Sequence, residues 1–377
     1  MTTERTPCPE PGLYYGISEQ VYRAWDAENH STLKMVDVSM ERYKHCRDHG
    51  GGDDSQARLE GRVLHAYILE PAEAATRYVA TPREYPTLVK AKDAECTIKA
   101  TDKTGRNFVV ARGRGKAREE WQYVLEPEST GEDWLGHSEV PSGLVEIEMR
   151  PWTNSANFCS CWSDAIREKG GEVISHDSLA MCKGMAARLR EIPDVKGLFD
   201  GASFEVSVVW IDEATGLKCK CRVDLLNLCL NIELADIKTS MAPVSHDSFA
   251  WTVKKWSYAS QGAMYIDGVK AALKAIGKPH DGLASFTFMA GEKVEPYTPA
   301  LWDLLDEYND GMELCQPGSS SWLQYGRALY RGWLEKVAKA RKDDFWPGYY
   351  KEPEKFPRRE ELLVPSRILL TVDGDEI

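Results

Sequence analysis

Residues 203–239 read SFEVSVVWIDEATGLKCKCRVDLLNLCLNIELADIKT. Apolar residues alternate on either side of Asp212-Glu213-Ala214-Thr215-Gly216, the pattern of two strands joined by a turn, and Asn231 to Thr239 continues as a third strand. A turn centred near Ala214 sets Glu205 opposite Asp224, and a connection centred near Leu230 sets Asp224 opposite Asp236. Side chains two apart on a strand share a face, so Lys238 stands beside Asp236. Three carboxylates and an ammonium thus converge at one level of one sheet face.

Such convergence is costly, because like charges on neighbouring strands repel and buried carboxylates resist ionisation. A divalent cation removes the cost. Mg2+ takes oxygen ligands and keeps several waters, which suits metal-assisted attack on a phosphodiester. Lys238 then either positions and deprotonates the attacking water or neutralises charge building on the phosphate. The competing reading of an isolated D-x-K on a strand is a surface salt bridge.

The words around this core resemble a known family. Asp224 followed by Asp236-Ile237-Lys238 is similar to the signature of the PD-(D/E)xK nuclease superfamily. Gly61-Arg62-Val63-Leu64-His65, Leu69-Glu70-Pro71, Cys221-Arg222-Val223-Asp224, Tyr258 with Gln261 and Tyr265, and Trp346-Pro347-Gly348-Tyr349 resemble the exodeoxyribonuclease VIII (RecE-type) nuclease domain. The resemblance implies an α/β restriction-endonuclease-like core, a central mixed β-sheet flanked by helices; an inserted subdomain over 83–157 is where this chain departs from the family's shorter connection. The resemblance further implies a Mg2+-dependent exonuclease on linear double-stranded DNA, working 5' to 3' and leaving 3' single strands for an annealing protein, and a homo-oligomeric ring. Under it Glu205, Asp224 and Asp236 hold one or two ions, Mn2+ being a possible substitute, with His65 and the Ile237 carbonyl completing the site. Lys238 serves the water, and Gln261 orients substrate. On its own His65 reads as an ordinary partly buried histidine. Gln261, Tyr258 and Tyr265 share a helix face, where a glutamine among apolar residues needs a partner. The other readings are a structure-selective or single-strand nuclease of another branch, and a non-catalytic module that binds DNA ends.

The chain has 377 residues, enough to bury a substantial core, with 42% hydrophobic and 28% charged residues. Its 47 basic and 59 acidic residues leave a formal charge of -12, which argues against broad adhesion to nucleic acid but not against a DNA enzyme whose acids carry cations. No apolar run approaches membrane-spanning length and the first residues lack a signal-peptide core, so the expected compartment is the cytoplasm, with no membrane partner. Ten cysteines suggest free thiols rather than a disulfide scaffold. The pairs Cys159/Cys161 and Cys219/Cys221 lack the usual zinc spacing, and the latter fits one strand face.

Along the chain, 1–82 reads as a helical part of the nuclease domain carrying the helix of His65. Residues 83–157 read as a β-rich insertion with a hairpin over 95–111; its Arg112, Arg114, Lys116 and Arg118 form either a DNA-tracking run or a solvated loop. The nuclease core and C-terminal helices occupy 158–350, and 351–377 is a tail. Residues 178–190 and 249–276 read as helices, 283–289 as a strand, and Ala300–Met312 and 321–342 as helices. Arg327, Arg331, Lys336, Lys339, Arg341 and Lys342 concentrate positive charge on the last, with Arg327 and Arg331 the candidate DNA-holding cations and a solvated helix face the alternative.

Overall fold

The computed structural model describes residues 5–50, 55–88, 96–102, 107–112, 134–135, 147–154, 157–280, 282–305 and 321–349. In chain order these form β1 (Gly12–Tyr14), α1 (Glu19–Ala24), α2 (His30–Leu33), α3 (Met40–His49), α4 (Gln56–Leu69), α5 (Pro71–Arg77), β2 (Tyr78–Ala80), β3 (Glu84–Leu88), β4 (Cys96–Asp102), β5 (Asn107–Arg112), β6 (Trp134–Leu135), β7 (Ile147–Pro151), α6 (Asn157–Glu168), β8 (Glu172–Ile174), α7 (His176–Glu191) and α8 (Pro193–Phe199). There follow β9 (Ser203–Ile211), β10 (Lys218–Asn227), β11 (Ile232–Ser240), α9 (His246–Trp256), α10 (Tyr258–Ala275), β12 (Ala284–Glu292), β13 (Pro299–Leu305) and α11 (Trp322–Asp343).

The organising sheet has the order β1-β9-β10-β11-β12-β13. Its pairs are antiparallel except β11 with β12, which run parallel because α9 and α10 carry the chain back across the sheet between them. This mixed sheet flanked by helices is the restriction-endonuclease-like α/β core expected from the sequence. Each face is covered by its own apolar cluster. On one, Val206, Val208, Trp210, Cys219, Cys221, Val223, Leu234, Phe286 and Phe288 meet α10 and α11. On the other, Leu225, Ala235, Ile237 and Met289 meet α4 and α7 through Val63, Leu64, Ile68, Cys182 and Met185. Cys219 and Cys221 are thus small buried hydrophobes on one strand face.

The helix expected over 249–276 is two helices, broken at Ser257, whose backbone is left-handed at φ 58°. The helix expected over Ala300–Met312 is corrected: Pro299–Leu305 is an edge strand paired antiparallel with β12, from Ser285↔Leu305 to Gly291↔Pro299. Pairing with a buried strand overrides local helical preference, and a proline at the start of an edge strand costs no ladder bond. The hairpin expected over 95–111 forms from β4 and β5, with Ile98 opposite Val110. Residues 103–106, Arg114, Lys116, Arg118 and the tail 351–377 lie outside the described residues.

Two glycines set how closely helices approach. A methyl on Gly268 would lie 2.6 Å from the Trp210 ring, and one on Gly326 would lie 2.1 Å from the Ala259 carbonyl oxygen. Gly326 therefore lets α11 lie directly against the backbone of α10.

Two buried charges tie the N-terminal segment to this body. Glu28, 1% exposed, accepts from the Tyr43 hydroxyl at 2.6 Å and pairs with Arg47 and Arg341. Lys220 donates to the Tyr22 and Trp25 carbonyls at 2.8 and 2.6 Å, closing the C-terminal end of α1. Burial pulls the Lys220 ammonium from the usual 10.5 down to about 8. The unfolded chain therefore holds this proton over a range where the folded chain has released it. Stability of the parent relative to Lys220→Met is expected to rise from pH 8 towards 10.5, by about 3 kcal/mol at most. Urea unfolding of both proteins at pH 7.5 and pH 10 measures it; a difference that stays constant or shrinks contradicts the assignment.

Candidate active site

The site forms where the β9–β10 ladder is interrupted. Val223 pairs with Val206 and Leu225 with Phe204, so Glu205 stands across from Asp224, yet these two do not complete a ladder pair. Glu205 has φ 52°, the left-handed region that a glutamate adopts at a cost. The consequence shows in the packing: Val206 and Val223 belong to the α10 side, whereas Phe204 and Leu225 pack on the α4 side. In a regular strand, residues two apart share a face. Both strands thus exchange faces at Glu205 and Asp224, which places the two carboxylates between the cores.

Asp224 fills the space that opens. Its Oδ2 accepts the Ile237 backbone N–H at 2.9 Å and lies 3.3 Å from His65 Nδ1. The other ring nitrogen of His65, Nε2, is 3.1 Å from the Ile237 carbonyl oxygen. His65 comes from α4, whose Val63, Leu64, Tyr67 and Ile68 are buried and fix the helix against the sheet. His65, Glu205 and Asp224 each offer a ligand atom within 4.8 Å of the others. Glu205 also pairs with Arg222, whose Nη1 donates to the Ile17 carbonyl at 2.7 Å.

Asp236 and Lys238 stand alongside, turned towards α10. Asp236 Oδ1 accepts from Gln261 Nε2 at 2.6 Å, which supplies the partner this glutamine needs. Asp236 Oδ2 lies against the Lys238 ammonium but makes no hydrogen bond of good geometry. The ammonium also sits 4.6 Å from the centre of the Tyr258 ring. The structure therefore gathers His65, Glu205 and Asp224 into one group, and Asp236, Lys238, Gln261 and Tyr258 into a second beside it. The Ile237 carbonyl faces His65. Arg327 and Arg331 are elsewhere: both bind Asp267, Arg327 through two nitrogens, with the Tyr330 hydroxyl on the same carboxylate.

Electrostatics follow from this packing. Burial pushes the Asp224 carboxyl up to about 7, with Asp236 and Glu205 adding to the rise and His65 and Lys238 opposing it. Burial alone would lower the Lys238 ammonium, but Asp236, Tyr258 and Asp224 outweigh it and hold the group above the ordinary lysine value. Two carboxylates and an imidazole at such separations, with burial and neighbouring acids opposing the charged form of Asp224, fit a divalent cation that would favour that charge. Carboxylate oxygens with one imidazole nitrogen are a donor set that a divalent cation takes.

Sequence reasoning missed the residues behind Lys238. His30 Nε2 is 2.8 Å from Ser260 Oγ, and burial, with Lys34 and Lys238 nearby, holds its imidazole down to about 3 and so neutral. Lys34 is likewise lowered by burial and by Lys238 and Arg58. Nothing in the broken segment near Asn29 to Ser31 signals this proximity. Arg222 was accessible, since it lies two residues before Asp224 on the strand facing Glu205.

Among solved structures, the chain is similar to a protein from Eubacterium rectale provisionally named an exonuclease, at 12% identity over 92% of this chain and 94% of that one, with a TM-score of 0.44. It is also similar to SSO0001, at 14% identity over 44% of this chain and 61% of that one, with a TM-score of 0.24. No curated protein matches the sequence. Residues 145–355 match the family described as PDDEXK-like domain of unknown function (DUF3799), a segment that contains Glu205, Asp224, Asp236, Lys238 and Gln261 but not His65. The mixed sheet that carries these acids and the lysine is thus a PDDEXK-like core, and the chain belongs to that DUF3799 family.

Proposed function

We propose that the protein is a Mg2+-dependent exodeoxyribonuclease that degrades linear double-stranded DNA, 5' to 3', and leaves 3' single strands for an annealing partner. The observation that carries the nuclease reading is the grouping of His65, Glu205 and Asp224 within 4.8 Å, with Lys238 and Asp236 beside them. The exonuclease class, its direction, a ring-shaped assembly and the annealing partner rest on the resemblance of the sequence motifs to RecE-type domains.

In this reading His65, Glu205 and Asp224, together with Asp236, would hold the ion, and the Ile237 carbonyl that faces His65 would complete the set. Mg2+ bound there supplies a Lewis acid for the phosphodiester and lowers the cost of generating hydroxide. Lys238, held as an ammonium, donates to the developing charge on the phosphate rather than taking the proton of the water. Gln261 fixes Asp236, and so Lys238, through its 2.6 Å bond, and Tyr258 supports the ammonium from the other side. Arg327 and Arg331 hold α11 to Asp267 of α10, and Arg331, 58% exposed, is also placed to meet a DNA backbone.

The test is digestion of end-labelled linear duplex and of covalently closed circular duplex, each with Mg2+, with Mn2+ and with chelator. Release of nucleotides from the linear form alone, only with metal and from the 5' end first, is expected. Equal cutting of closed circles would replace the exonuclease with an endonuclease. Inactivity on every DNA with either metal would remove the nuclease reading.

A further inference from the structure

Helix α9 follows the strand of Asp236 and Lys238 and ends two residues before Tyr258, whose ring meets Lys238. Its Phe249 and Val253 are buried against the sheet, with Phe249 packed edge-on to Phe288. Two indoles remain outside: Trp251 is 69% exposed and Trp256 50% exposed. Scattered exposed apolar residues are ordinary, but two tryptophans on one eleven-residue helix are not needed for its packing. Each carries a cation. Lys254 Nζ lies 5.2 Å from the Trp251 ring centre and Lys255 Nζ 5.3 Å from that of Trp256. Among the described residues no carboxylate pairs with either ammonium.

An exposed indole beside an unpaired ammonium, repeated along one helix, is the chemistry of a single-stranded nucleic acid site. Every base has a π-face that stacks on an aromatic ring, and the backbone phosphates pair with adjacent cations. Duplex DNA hides those faces inside its own stack, so the aromatic part of the surface serves unpaired bases. The chain as a whole carries a formal charge of -12, so a polyanion is favoured where ammonium groups stand without carboxylate partners, and on α9 Lys254 and Lys255 share the last turn while the one acid of the first turn, Asp247, lies at the other end. We propose that α9 is a platform on which the unpaired DNA strand adjoining the active site stacks on Trp251 and Trp256, with its phosphates on Lys254 and Lys255. The identity of the polymer rests on the nuclease reading above; the platform itself rests on the exposure and charge of α9.

The test uses the full chain in chelator, with a fluorescent oligothymidylate followed by anisotropy. The double variant Trp251→Ala/Trp256→Ala is expected to bind it about 100-fold more weakly, roughly tenfold for each indole. Blunt duplex of equal length should be bound alike by variant and parent. Lys254→Gln/Lys255→Gln should reduce the slope of log affinity against log salt by about 1.4. The aromatic variant should hydrolyse bis(p-nitrophenyl) phosphate with metal at the parent's rate, because that ester is too small to extend to α9. If the parent does not hydrolyse this ester or DNA, the nuclease reading fails, and the anisotropy arm still decides the platform. Unchanged oligothymidylate affinity in the folded aromatic variant overturns the platform. A smaller assembly in sedimentation with unchanged DNA affinity overturns it too and assigns the indoles to contact between copies of the chain.

Discussion

Asp224→Ala is expected to abolish metal-dependent release of nucleotides from labelled linear duplex, by roughly 10³-fold or more, and Lys238→Ala to do the same. Asp224 is the group shared by every part of the site: its Oδ2 meets the Ile237 amide and the His65 ring, and Glu205 faces it across the interrupted ladder. Its loss removes one of the proposed metal ligands and leaves a buried amide unpaired. Asp224→Asn keeps an acceptor for that amide while deleting the charge, so it separates loss of metal binding from local disorder. It should be as inactive as the alanine variant but closer to the parent in stability. Lys238→Ala leaves Asp236 with Gln261 alone, and under the proposed function a carboxylate that faces the phosphate without its ammonium would raise the barrier. If both alanine variants digested DNA at the parent's rate, the site would lie elsewhere.

Gly326→Ala is expected to destabilise the fold by about 3 kcal/mol, although it adds a single methyl group. The new carbon would fall 2.1 Å from the Ala259 carbonyl oxygen and 2.8 Å from the Ser260 backbone nitrogen, atoms of α10 that cannot rotate away as a flexible side chain would. Relief requires α11 to lift from α10, opening a core in which Tyr330, Trp333 and Val337 are buried. Gln261 follows Ser260, so the same displacement reaches Asp236, and activity should fall along with the midpoint of urea unfolding. Gly332→Ala is the control, because a methyl there meets nothing within 4 Å and should leave both unchanged or slightly improve helix stability. Equal stability of the two variants would show that the helices do not depend on this close approach.

The position of the acids along the strands was legible because turn length fixes register: Gly216, at φ 70°, closes the β9–β10 turn where the sequence marks it, and Glu205 then falls opposite Asp224. The direction in which the acids point was not. Strict alternation puts Glu205, Asp224, Asp236 and Lys238 on one face, whereas the left-handed backbone of Glu205 moves the first two between the cores and leaves the last two facing α10. A period-two pattern carries no sign of such an interruption, since valines and leucines flank it on both sides. The strand at Pro299–Leu305 was missed for a related reason: Leu301, Trp302, Leu304 and Leu305 satisfy a short helix as well as an edge strand, and only the presence of β12 decides. The partner of Arg327 and Arg331 was not legible, because Asp267 is some sixty residues earlier in the chain. Ionic partners on another helix leave no local trace.

The exchange of sides at Glu205 and Asp224 means that two separately packed halves of the molecule jointly set one interatomic spacing. A substitution that either half absorbs without loss of its own packing still slides one of these carboxylates relative to its neighbours. Tolerance of the interior to change is therefore limited by the width of the seam between those halves, and compensating replacements should come in pairs, one drawn from the layer of α4 and one from the layer of α10.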